Sequence, residues 1–222
     1  MKVTTYCLML CAAGLAIAFP SNVQAAPVQL FTFTTAYSID NNTSFNIGNE
    51  FKTGLTQELY VSAIGAFVPP TQISGGLSTR AYTATLYADD NTTVLASATI
   101  PVGTSVNAQG FAYTPLTYVL QANTNYVLTE YAGPSLSVYT YGSPGVPSGT
   151  WNAGTTFVQN WFNSSGGAPN TSNGSYYEFM GGNMIVDTEA PVPAPEPTSA
   201  LLLSCGILAM VKSTRRCQRR QA

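Results

Sequence analysis

The sequence contains no histidine, and only 8% of its 222 residues are charged. Without imidazole there is no Ser-His-Asp or Cys-His relay and no histidine-ligated metal centre. Thiols are scarce and badly placed for stapling a core. Cys7, Cys11, Cys205 and Cys217 lie near the two ends, so residues 26–190 hold neither a disulfide nor a free thiol. Positive charge is scarce too. Residues 26–190 carry only Lys52 and Arg80 against Asp40, Glu50, Glu58, Asp89, Asp90, Glu130, Glu178, Asp187 and Glu189, a net of −7. A body of that sign has no footprint for a phosphate backbone, which argues against nucleic acid as a partner. Sustained helical periodicity is also missing between Val28 and Val186.

What recurs instead is short alternation bounded by Gly, Pro, Asn, Ser and Thr, the pattern of half-buried strands. Strands are expected over Leu59–Phe67, Tyr82–Tyr87, Val94–Ile100, Phe111–Leu120, Tyr126–Tyr131, Leu136–Tyr141, Thr155–Phe162 and Tyr176–Val186. Pro115 marks an edge or a bulge in the fourth of these, and Gly181-Gly182 a break in the last. Short strands without βαβ spacing indicate an all-β fold, an antiparallel β-sandwich of jelly-roll type. The sandwich is assigned to residues 26–188.

The ends read as processing segments. Residues 1–25 have a cation, Lys2, an apolar run from Tyr6 to Phe19, and small residues Val23 and Ala25 ahead of the expected cleavage after Ala25. That is the tripartite form of a secretory signal peptide. At 1.5 Å per residue the run reaches about 21 Å, short of the ~30 Å hydrocarbon core. At the other end, residues 189–197 are a Pro-rich linker that can form neither helix nor sheet. Residues 198–222 follow as a short apolar transmembrane helix, Thr198 to Val211, with a basic tail that holds its end in the cytoplasm.

Pro195-Glu196-Pro197, then Thr198-Ser199-Ala200-Leu201-Leu202-Leu203, Gly206 and the cations Arg215, Arg216, Arg219 and Arg220 come in a fixed order. Together they resemble a PEP-CTERM sorting signal. The resemblance implies an exported protein of a bacterium that makes extracellular polysaccharide. It also implies transient insertion in the membrane and recognition by an exosortase, a membrane-embedded cysteine transpeptidase. A second resemblance covers residues 45–132. It rests on Gly48-Asn49-Glu50-Phe51, Ile64-Gly65-Ala66-Phe67, Leu86-Tyr87, Leu95-Ala96-Ser97-Ala98-Thr99, Gly110-Phe111-Ala112-Tyr113 and Leu120 to Leu128. These are similar to a β-sandwich domain of unknown function found in exported bacterial proteins. The resemblances imply a cell-surface or extracellular-matrix protein, of the kind that builds biofilms, with the export machinery and an exosortase as partners. They imply no catalytic residue and no cofactor.

The candidate sites are few. Asp89-Asp90-Asn91 can offer oxygen ligands to calcium, but adjacent acids and amides are first of all turn formers. Asp40-Asn41-Asn42 and Asp187 with Glu189 are read as turns on the same ground, and no metal site is assigned. A glycoside hydrolase needs two acids facing one another about 5 to 9 Å apart, and the nine acids stand in no such motif. Tyr141, Trp151, Trp161 and Tyr177 lie among Gly, Asn and Ser, so their rings are the candidate glycan-binding residues for an extracellular polysaccharide. The competing reading is that they fill the core. Strict alternation places Phe157 with Trp161 on one face and Val158 with Phe162 on the other.

Overall fold

The computed structural model describes residues 26–33, 36–43, 45–131, 133, 136–141, 149–172, 178–179 and 181–191, with only the backbone path at 36–43, 136–141 and 178–179. The expected signal peptide, the Pro195-Glu196-Pro197 motif, the apolar helix and the basic tail lie outside these residues. Met1–Glu189 form one compact unit and Ala190–Ala222 another. Among the described residues no helix is long and apolar enough to cross a membrane.

The described residues of the first unit form strands joined by turns and loops. In chain order they begin with β1 (Val28–Gln29), β2 (Phe31–Thr32), β3 (Ala36–Thr43), β4 (Asn46–Lys52) and β5 (Leu59–Phe67). A 3-10 turn at Pro70–Gln72 precedes β6 (Ile73–Ser74), β7 (Leu77–Ser78), β8 (Tyr82–Ala88), β9 (Val94–Ile100) and β10 (Phe111–Leu120). The rest are β11 (Asn125–Tyr131), β12 (Leu136–Tyr141), β13 (Thr150–Trp151), β14 (Thr156–Asn163), β15 (Glu178–Phe179) and β16 (Gly182–Asp187).

Two antiparallel sheets make the sandwich, one in the order β1-β16-β5-β10 and the other β14-β4-β11-β8-β9. A smaller sheet, β15-β12-β3, and two two-stranded pairs, β13-β2 and β6-β7, complete it. The expected break at Gly181-Gly182 separates β15 from β16, and β10 carries the expected irregularity, a register shift between Pro115 and Tyr118. The expectation of a turn at Asp40-Asn41-Asn42 fails. These residues run within β3, where Asp40 stands opposite Val138. Polar composition alone misled there, because the strand is set by its partner β12 rather than by its own propensity.

The core lies between the two main sheets. Val61, Ile64, Ala66, Ala112, Leu120, Met184 and Val186 from the four-stranded sheet meet Phe51, Tyr82, Ala84, Leu86, Ile100, Tyr126 and Leu128 from the other. Burying each large apolar side chain stabilises the fold by about 1.5–3 kcal/mol, which a body with no cysteine between residues 26 and 190 depends on. Gly48 in β4 is required by packing. A Cβ there would overlap the backbone carbonyl of Leu128 on the neighbouring strand.

Candidate functional site

The register of the five-stranded sheet decides which side chains share a face. Phe51 of β4 stands opposite Tyr126 of β11 and Phe157 of β14, and these rings point into the sandwich. The neighbouring row, Glu50 opposite Val127 and Gln159, therefore points outward. Glu50 is nonetheless buried, at 5% exposure. Three donors converge on its carboxylate. Asn125 Nδ2 donates to Oε1 at 2.9 Å, while Gln159 Nε2 and Trp161 Nε1 donate to Oε2 at 2.7 and 2.9 Å. The Ser172 hydroxyl bonds Gln159 Oε1 at 2.9 Å. Three donors meeting on one carboxyl group hold the indole and both amides in one orientation. The result is a half-buried indole edged by amide and hydroxyl groups on the outside of a rigid sheet.

Trp161 reaches this face through a bulge. The register of β14 against β4 shifts between Phe157 and Gln159, so one extra residue is absorbed there. Strict alternation had put Phe157 and Trp161 on one face. The bulge instead turns Phe157 and Phe162 inward, opposite Phe51 and Ile47, and leaves Gln159 and Trp161 outward.

The other candidate tryptophan sits elsewhere. Trp151 in β13 pairs with Phe31 of β2, and its ring lies 5.1 Å from Phe31, 5.7 Å from Phe51 and 6.0 Å from Phe157. It closes one end of the core, so the two tryptophans are not brought together. Tyr141 ends β12 opposite Ala36 and Glu178, where the backbone alone is described. Tyr177, the cleavage residues Val23 and Ala25, and Pro195, Glu196, Pro197, Gly206, Arg215, Arg216, Arg219 and Arg220 lie outside the described residues.

Sequence reasoning missed both buried glutamates. Glu130 stands opposite Ile47 and Ala84 in β11, in line with Tyr126 and Leu128, and so faces the interior. The Phe67 backbone N–H donates to it, and burial pushes its carboxyl well above the ordinary range. The same burial raises the hydroxyl of Tyr82, and the nearby Glu130 adds to that. The Tyr82 hydroxyl is buried with no hydrogen-bond partner. Glu50 and Glu130 lie on opposite faces of one sheet and do not form a converging acid pair. No sequence signal marks either, because each owes its role to strands far along the chain.

Two further acids, Asp90 and Asp187, behave as turn formers. At the β8–β9 turn, Asp90 accepts from the Thr92 and Thr93 backbone N–H groups at 2.9 and 2.8 Å and from the Thr93 hydroxyl. Those bonds lower its carboxyl to about 2, and Asn91 takes a φ of 61°. Asp187 Oδ1 accepts from the Glu189 N–H at 3.0 Å. Among the described residues no group of three acids or thiols could hold a metal ion.

No family model matches the chain, and no curated protein matches it. Among solved structures it is similar to the VP2 subviral particle of infectious bursal disease virus, at 12% identity and a TM-score of 0.24, covering 86% of this chain and 50% of that one. The T13 particle of the same virus matches at 13% identity and a TM-score of 0.25, covering 75% of this chain and 36% of that one. The chain thus spans half or less of the length of these structures, and at such scores the likeness carries no argument about function.

Proposed function

We propose that this chain is an exported bacterial cell-surface or extracellular-matrix protein with a non-catalytic body. It would be sorted through its C-terminal Pro195-Glu196-Pro197, apolar and basic segments. The observation that carries the reading is the division of labour along the sequence. All four cysteines and most of the cations stand in the two end segments, while the body is an acidic, thiol-free sandwich whose stability rests on its core. Such a body suits an oxidising exterior, since it offers no thiol to oxidise. We assign it to the jelly-roll type on the strength of its strand order. Eight strands form the rows β1-β16-β5-β10 and β4-β11-β8-β9. Taken in chain order, every step among these eight except β8 to β9 passes from one sheet to the other, as two Greek keys require.

Intact-mass measurement of the surface form tests the sorting. The expected product has lost residues 1–25 and the segment beyond the linker. With Pro195, Glu196 and Pro197 all changed to alanine, the tail should persist; the same processed mass in that variant would sink the sorting reading.

One observation favours a second function for the body, binding of extracellular polysaccharide. The indole of Trp161 is fixed by Glu50 beside Asn125, Gln159 and Ser172, the mix of flat apolar surface and amides that sugars require. On a glycan array the protein should give hits that Trp161→Ala abolishes. Trp151→Ala should keep those hits and lower the melting temperature instead. Hits that survive Trp161→Ala, or none at all, refute this reading.

A further inference from the structure

From Tyr131 to Tyr177 the chain has no Asp, Glu, Lys or Arg. The β14 strand and the segment after it therefore bring only amides, hydroxyls and rings to the outer face of the five-stranded sheet. The neighbouring strands add little charge. On the outward row of β4 stand Glu50 and Lys52, whose formal charges cancel, and Glu130 of β11 faces the interior.

The face around Trp161 is also pinned in place. Beyond Asn163 the chain turns back along β14. The Phe162 N–H donates to Thr171 O at 2.8 Å, and the Asn170 and Thr171 N–H groups donate to Phe162 O at 3.1 Å. Asn46 Nδ2 holds the intervening loop at Gly167 O (2.9 Å), and Asn163 Nδ2 holds it at Ala168 O (2.7 Å). Ser172 thereby arrives beside Gln159.

Few polar groups remain for a ligand. An indole has one N–H, and Trp161 spends its own on Glu50, so only the faces of its ring are left. The side-chain amides of Asn125 and Gln159 have two N–H groups each and spend one on Glu50. Among the described residues the second of each stays available. The Glu50 carboxyl group itself is enclosed by its three donors, at 5% exposure.

We propose that this face takes an uncharged polymer of hexose rings, with equatorial substituents and equatorial (β) links, stacked on Trp161. The inference rests on the polysaccharide-binding reading and narrows it to one chemical class. A ring with equatorial substituents presents a flat C–H face, which suits an indole whose N–H is already spent. Its hydroxyls accept from the remaining N–H groups of Asn125 and Gln159. An acidic polymer fits badly, because its carboxylates or sulfates would be desolvated where no surplus cation compensates them.

Titration of the full chain, in a non-ionic detergent, with two soluble probes tests this. Hydroxyethylcellulose is neutral; carboxymethylcellulose has the same backbone and ring faces but bears carboxylates. The neutral probe should bind tighter by about tenfold or more, and its affinity should change less than about twofold between about 0.05 and about 0.5 M salt. Trp161→Ala should weaken it by about tenfold or more, and Trp161→Phe, which keeps a ring face without the N–H, by about threefold or less. Melting curves show that each variant is folded. Equal or tighter binding of carboxymethylcellulose that depends on Trp161 overturns the uncharged class and leaves the polysaccharide reading standing. Glycan-array hits without affinity for hydroxyethylcellulose do the same. A phenylalanine variant as weak as the alanine variant overturns the stacked pose. Absence of binding to any glycan, or binding indifferent to Trp161→Ala, overturns both the inference and the reading beneath it.

Discussion

At β4 the inner and outer faces of the five-stranded sheet are both buried, by different means. Inside, Phe51 stacks on Tyr126 at 5.8 Å and on Trp151 at 5.7 Å, and nothing but apolar contact is needed. Outside, one residue along the same strand, Glu50 is covered to a similar degree by three hydrogen-bond donors. Adjacent residues of β4 therefore lie in opposite chemical surroundings while both are dry. The inner face tolerates loose chemistry and demands volume; the outer face demands that every polar partner be present.

The comparison breaks most visibly at Phe51. Phe51→Ala leaves a void beside the Tyr126 and Trp151 rings and should lower the unfolding free energy by about 3–5 kcal/mol in chemical denaturation. Glu50→Ala acts on the other face and should cost about 2–3 kcal/mol, because the Asn125, Gln159 and Trp161 donors lose their acceptor. Its signature is a shift in Trp161 fluorescence, partly restored in Glu50→Gln; a loss without that shift would mean that the network does not hold the indole.

The smallest effect sharpens the contrast through pH. Glu130 keeps its proton in the folded state well above its usual value of 4.5. Between those two values the native chain binds more protons than the unfolded one. The stability tied to protonated Glu130 is thus complete below about pH 4.5 and is lost as pH climbs towards the folded value. Glutamine imitates the protonated acid. Glu130→Gln should therefore match the wild type near pH 4.5 and melt a few degrees higher, about 2–4 °C, under alkaline conditions. Parallel melting curves for the two proteins at every pH would show that Glu130 does not titrate as described.

Strands whose residue types alternate could be found from the sequence. Leu59–Phe67, Val94–Ile100, Phe111–Leu120 and Leu136–Tyr141 have the expected bounds. The β4 strand could not, because Asn46 to Phe51 are buried on both sides and its polar residues break any alternation. Nor could the bulge in β14, which decides the side on which Trp161 emerges. Alternation assumes an unbroken ladder, and one absorbed residue reverses every assignment after it. The Glu50 network was equally hidden, since Gln159 and Trp161 stand more than a hundred positions further on.

The pairing of β16 has a mechanical consequence. This last strand lies between β1 and β5, with Val186 opposite both Val28 and Val61. A pull along its axis, applied beyond Asp187, loads two ladders side by side in shear, and many bonds share the load before any gives way. The same strand at an outer position would peel one bond at a time. The entry of the chain at Val28 is fastened beside that exit, so a force that frees β16 also releases the first strand.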